Sequence, residues 1–280
     1  MSFHYTPTET LYQFCSIESF RNIIASKLIW YTDLGSANDP RELKLGPVRF
    51  AEALKFVAEH ECEGRIRETI LDVARSVERE RERAQCFCAC FSPINDELPM
   101  WREYGGNYRG VAIGFRPEAI TSMPGIIQKV RYLQSDIENE LRSIAREISG
   151  KSMPPGIAKI FGAIASLGII TAIKHRTWEY EKEIRLVFQQ SRTRHDGFKE
   201  WPDGTKIFWE APLSRTRGTE RVEYKAFPFA GRGSGSDRSR AIAAVVVGPR
   251  CELPVDDIKF ELEKNGFEEF EIVKSECEIR

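Results

Sequence analysis

The chain has 280 residues, 41% of them hydrophobic, enough for one large domain or two ordinary ones with a real core and no need of disulfides. Its 41 Lys and Arg nearly cancel 42 Asp and Glu, which excludes the global basic field of a general nucleic-acid binder. No apolar run approaches the roughly 18 residues of a membrane span, and MSFHYTPTET lacks a basic, apolar secretory signal, so the expectation is a cytoplasmic protein with no membrane partner.

In chain order, Leu11 to Phe14 reads as a short strand, and Ser16 or Ser19 can cap a helix through Arg21, Ile24 and Ala25. Leu28 to Tyr31 is the next apolar strand. Asn38-Asp39-Pro40-Arg41-Glu42 favours a turn and offers oxygen and amide groups to whatever it faces. Pro47 to Arg83 carries helical stripes, Phe50, Ala53, Leu54 and Val57 first and Ile66, Ile70 and Val73 later. Its VERERER end reads as a solvated face.

Gln85 to Ser92 alternates Cys86, Cys88 and Cys90 with Phe87 and Ala89, the pattern of a buried strand. Seven cysteines, an odd number, fit reduced thiols, and the C-x-C spacing lacks the C-x-x-C pairs and clustered His of a structural zinc site. No metal is expected. Ser92 would stand at the strand's end. Met100 to Tyr104 is a short helix, and after Gly105-Gly106-Asn107 a strand resumes from Gly110 to Phe115. The spacing of these glycines is not that of a dinucleotide fingerprint.

Val130 to Leu133 reads as a short strand and Asp136 to Ile148 as an amphipathic helix ended by Gly150. Beyond the Pro154-Pro155-Gly156 break, Ile157 to His175 reads as a buried helix. Trp178 to Phe188, WEYEKEIRLVF, is the stretch richest in chemistry. If all of it is strand, Glu179, Glu181, Glu183 and Arg185 share one face. Such a row of like charges faces solvent, pairs with a cation, or lines a site where positive charge develops.

Ser191 to Arg240 reads as loop, with eight arginines that could grip phosphates and seven acids that dilute their field. Ala241 to Gly248 is a central strand, Val255 to Lys264 a helix ended by Gly266, and Phe270 to Ile279 a last strand, so the chain closes on a β-α-β unit.

Leu11-Tyr12, Asn38-Asp39-Pro40 with Glu42, Phe91-Ser92, Met100-Trp101 with Tyr104, Gly110 through Phe115, and Trp178 through Arg185 occur in the order typical of a bacterial family. By these motifs the chain resembles domain-of-unknown-function family two-nine-seven-one, a resemblance that spans most of its length and supplies no activity. A strand ending in Ser followed by one bearing Glu-x-Glu also resembles the NAD-dependent ADP-ribosyltransferases, among them bacterial stress, toxin and phage-defence enzymes. That similarity implies cleavage of the nicotinamide–ribose bond, with Glu183 stabilising the ribosyl cation and Glu181 activating an acceptor of unknown class. Tyr12, Asn38, Asp39, Ser92, Trp101, Tyr104, Trp178 and Arg185 complete the candidate ligand-binding set. Tyr12 and Gln13 stand where those enzymes carry Arg or His.

The expectation is therefore one α+β domain over residues 1–280, with a central mixed sheet and helical insertions at about 47–84 and 134–175. Its strands near Gln85, Gly110, Ile184 and Ala243 would be core. The competing classes are a non-catalytic module that senses a nucleotide or binds a protein, and a metal-dependent nuclease using Asp39, Glu181 and Glu183.

Overall fold

A computed structural model of the protein describes residues 4–37, 42–133, 135–150, 168–169, 171–192, 197–200, 206–208, 210–229 and 238–279. The fold is α+β. Strand β1 (Leu11–Cys15) leads into α1 (Ile17–Ser26), whose first turn is capped by Ser16, with the Ser19 amide donating to its hydroxyl. Then come β2 (Leu28–Asp33), α2 (Glu42–Glu61), α3 (Gly64–Arg83), β3 (Ala84–Phe91), α4 (Leu98–Glu103) and β4 (Val111–Phe115). The middle of the chain supplies α5 (Pro117–Thr121), β5 (Ile126–Lys129), β6 (Arg131–Tyr132), α6 (Ser135–Gly150), β7 (Ile173–Lys174) and β8 (Ile184–Ser191). The last part adds β9 (Phe198–Glu200), β10 (Lys206–Phe208), β11 (Leu213–Arg217), β12 (Glu220–Pro228), β13 (Ile242–Val247), α7 (Val255–Lys264) and β14 (Glu271–Lys274).

In place of the single central sheet expected, two larger sheets share one core. A mixed sheet runs β1-β4-β13-β14, and an antiparallel sheet runs β11-β12-β2-β3-β8-β5. The four strands expected at the centre are split between them, β4 and β13 in the first, β3 and β8 in the second. Their inner faces meet through Phe87, Ala89 and Phe91 on β3, Leu186 and Phe188 on β8, and Val111, Ile113 and Phe115 on β4, all buried. The Phe91 and Phe115 rings touch edge to face at 5.7 Å. At one margin the sheets are sewn together directly: Tyr12 and Ser92 exchange both backbone hydrogen bonds, at 2.7 and 2.9 Å.

A second cluster is helical. Phe50, Leu54 and Val57 of α2, Ile70, Val73 and Val77 of α3, and Leu141, Ile144 and Ile148 of α6 pack together with Ile173. The long helical stretch expected from Pro47 begins earlier, at Glu42, and is broken at Gly64, whose φ of +53° reverses the chain between α2 and α3. The long helix expected from Ile157 to His175 gives way to β7 at Ile173, while residues 151–167 lie outside those described. The stretch read as loop between Ser191 and Arg240 holds the β11–β12 hairpin, turned at Gly218. Its outer strand is exposed throughout and so carries no apolar alternation to betray it. All seven cysteines are free thiols. Among the described residues, no helix is long and apolar enough to cross a membrane.

Glycine is required where β4 begins. A Cβ at Gly110 would lie 2.0 Å from the Cys15 carbonyl oxygen, whereas one at Gly150, at the end of α6, would meet nothing within 4 Å. Gly110→Ala should therefore cost about 3 kcal/mol or more, and Gly150→Ala should be neutral or stabilise by about 0.5–1 kcal/mol. Urea unfolding of both variants checks the pair.

Candidate functional site

The chemistry-rich stretch is not one strand. Arg176–Glu181 form a 3-10 turn in which the Thr177 amide donates to the His175 ring, and Lys182, at φ 43°, swings the chain out of it before β8 starts at Ile184. The expected row of Glu179, Glu181, Glu183 and Arg185 on one strand face is therefore broken: Glu179 is exposed, while Glu181, Glu183 and Arg185 are 3%, 4% and 1% exposed. Glu183 and Arg185, two apart, share a face and pair in bidentate fashion, with Arg185 Nε and Nη2 donating to the two Glu183 oxygens at 2.7 and 2.8 Å.

The sequence reading missed the fourth member. Lys174, on β7 and 5% exposed, reaches both carboxylates, its Nζ donating to Glu181 Oε2 at 2.5 Å and to Glu183 Oε2 at 3.1 Å. It sits 4.9 Å from the centre of the Trp178 ring. Arg185 Nη1 donates to the Thr171 carbonyl at 3.0 Å, and Tyr104 Oη to Glu181 Oε1 at 2.6 Å. The backbone is clamped as tightly. Ser92 Oγ donates to the Glu181 carbonyl at 2.7 Å, the Glu183 amide donates to Tyr132 Oη at 2.8 Å, and the Val130 amide donates to the Glu183 carbonyl at 2.9 Å.

These surroundings divide the two acids. Burial alone would raise the pKa of Glu183, but the charges of Arg185 and Lys174 outweigh it and hold the carboxyl well below the usual range. Burial, followed by the Glu183 charge, raises Glu181 from 4.5 to about 7, with Lys174 and Tyr104 opposing. The pair is thus one permanent anion beside one acid that titrates near neutrality. Burial and the Glu181 charge push the Tyr104 hydroxyl far up, so it stays a donor.

The cluster forms the floor of an open cleft of about 420 Å³. Tyr12, Phe14, Cys90 and Tyr104 line it near the acids, while Trp30, Asp33, Arg215 and Arg217 line the far wall. Cys90 lines this space, and burial of its thiol, followed by the charge of Glu183, raises its pKa. Of the predicted set, Glu181, Glu183, Arg185, Tyr12 and Tyr104 reach the cleft. Trp101 does not: its ring is fully buried against Phe14, and its Nε1 donates to Asp96 at 2.6 Å, so it cannot stack on a ligand. Ser92 is a buried clamp on the turn, and Trp178 supports Lys174 from outside the cleft lining. Asn38 and Asp39 lie outside the described residues. Cys90 and Arg215 were in view as strand and loop residues without being assigned to the site. Among the described residues, no group of three or more His, Cys, Asp or Glu side chains is arranged to hold a metal ion.

The two acids bind stability to pH with opposite signs. Glu183, depressed in the folded state, contributes stability that is present above its ordinary 4.5 and is lost as the pH falls. Glu181, raised to about 7 from 4.5, contributes stability that is full below 4.5 and is lost as the pH rises through about 7. Melting temperatures measured from pH 5 to 8 should therefore decline more steeply for the wild type than for Glu181→Gln, which lacks that titration.

No curated protein and no solved structure matches this chain. The stretch 100–186 runs from Met100 through Tyr104 and the Glu-x-Glu segment to Leu186 and so contains most of the buried cluster. Those residues match the model of a family described as "Protein of unknown function (DUF2971)", the family that the order of sequence motifs had indicated.

Proposed function

We propose that the cleft is a nucleotide site and that the chain is an ADP-ribosyltransferase-like enzyme acting on the nicotinamide–ribose bond of NAD. The observation that carries this reading is the division of labour between Glu181 and Glu183 on the cleft floor. In the reaction, the C1′–N bond breaks with its electron pair passing to the nicotinamide nitrogen, and the ribosyl group is left as an oxocarbenium ion. Glu183, ionised throughout the working pH range, supplies negative charge beneath that cation. Glu181, titrating near 7, takes the proton that the acceptor loses as it attacks C1′. Tyr104 and Lys174 hold the Glu181 carboxylate from both oxygens, which fixes its direction. A protein or a nucleic acid can serve as the acceptor, and a cytoplasmic bacterial stress, toxin or phage-defence system is the setting in which such a transfer fits.

A second reading is a non-catalytic nucleotide sensor, favoured by the full engagement of both Glu183 oxygens by Arg185 and Lys174. A nuclease reading lacks support of this kind, because cationic side chains occupy the carboxylates that a metal would need. Chromatographic detection of nicotinamide during incubation with NAD separates the first two. The enzyme reading expects turnover by the wild type and a loss of about 10²–10⁴-fold in Glu181→Gln, with NAD affinity kept within about threefold. Binding without turnover in the wild type makes the protein a sensor.

A further inference from the structure

The far wall of the cleft is built from the hairpin that the sequence hid. Arg215 and Arg217, two apart on β11, lie on one face of it and both line the cleft. The Arg215 guanidinium lies 5.1 Å from the centre of the Trp30 ring, and Trp30 in turn stacks on Tyr224 at 4.4 Å. Stacking of this kind orients the cation without consuming its hydrogen-bond donors. Among the described residues no carboxylate forms an ion pair with Arg215, and burial together with the charge of Arg217 lowers its pKa from the ordinary 12.5 while leaving it a cation. Arg217 is fastened, donating to the Ser36 carbonyl at 2.7 Å with Glu220 at 3.4 Å, which ties the hairpin to the turn after β2. Two cations, one of them with no ion-paired carboxylate among the described residues, thus share a wall of the cleft.

Resting on the nucleotide reading of the cleft, we infer that Arg215 and Arg217 form its phosphate subsite, with Trp30 positioning Arg215, so that the ligand is a nucleoside diphosphate rather than a nucleoside. A guanidinium fork matches phosphate oxygens bidentately, and a fork already held against a ring loses little freedom on binding.

Isothermal titration of the full chain with ADP, adenosine and inorganic pyrophosphate tests the subsite. The wild type should bind ADP at least roughly tenfold tighter than adenosine, with pyrophosphate competing for ADP. Arg215→Gln, on an exposed edge strand, should lose that advantage and leave adenosine binding unchanged, and Trp30→Leu should lose part of it. Arg221→Gln, which pairs with Thr216 on the other face of the hairpin, should keep it. Equal affinities for ADP and adenosine in the wild type, or unaltered ADP binding by Arg215→Gln, overturn the subsite while leaving the nucleotide reading in place. If none of the three probes binds and NAD does not either, both fall.

Discussion

Two acids and two bases held out of water, Lys174, Glu181, Glu183 and Arg185, set the terms for everything around them. Each ion loses hydration worth several kcal/mol on burial, and the loss is offset only where its oxygens or protons find close partners. That demand explains why residues from distant parts of the chain converge here. Thr171 gives a carbonyl to Arg185, Tyr104 a hydroxyl to Glu181, Ser92 and Tyr132 fix the backbone of the turn, and Trp178 lies against the lysine. Truncating one member leaves its partner a less compensated buried charge, a cost that a near-isosteric amide such as Glu181→Gln keeps small.

The cluster also lies close to where the two sheets are joined. Ser92 exchanges backbone hydrogen bonds with Tyr12 of the mixed sheet while its hydroxyl holds the Glu181 carbonyl. One residue therefore links β1, the end of β3 and the acidic turn, and the cleft opens beside that junction. Its walls come from both sheets, Tyr12 and Phe14 from one, Trp30, Cys90, Arg185 and Arg215 from the other. A site anchored in this way is preformed, because rearranging it means separating paired backbone.

Elements whose signals are local were legible in the sequence. The Ser16-capped helix, the alternating Cys and Phe of β3, the apolar β13 and the helix from Val255 to Lys264 stand where capping residues and periodicity place them. The Glu-x-Glu pair and Arg185 were visible as a site for the same reason, being close in sequence. Lys174 was hidden, since it closes an apolar run read as helix and its partners lie across a turn that no pattern announces. Trp101 misled in the opposite direction: an aromatic ring on a short helix between polar segments reads alike whether it faces a ligand or fills a core, and only tertiary packing against Phe14 decides. The split of the strands between two sheets was equally invisible, because strand patterns report which face is buried and not which neighbour covers it.

The charges lining the cleft balance once Glu181 is ionised. Lys174, Arg185, Arg215 and Arg217 oppose Asp33, Glu103, Glu181 and Glu183, four against four among the described lining residues. A region with no net charge but with separated poles has a field that dies away with distance faster than that of a single ion. Such a cleft does little to draw a charged molecule in from bulk solvent, and encounter is left largely to diffusion. At contact range the same field turns a bipolar molecule end for end until its anionic part meets the arginine wall. If the cleft takes a nucleotide as proposed, selection therefore acts on orientation after arrival, with the anionic end set toward the arginines.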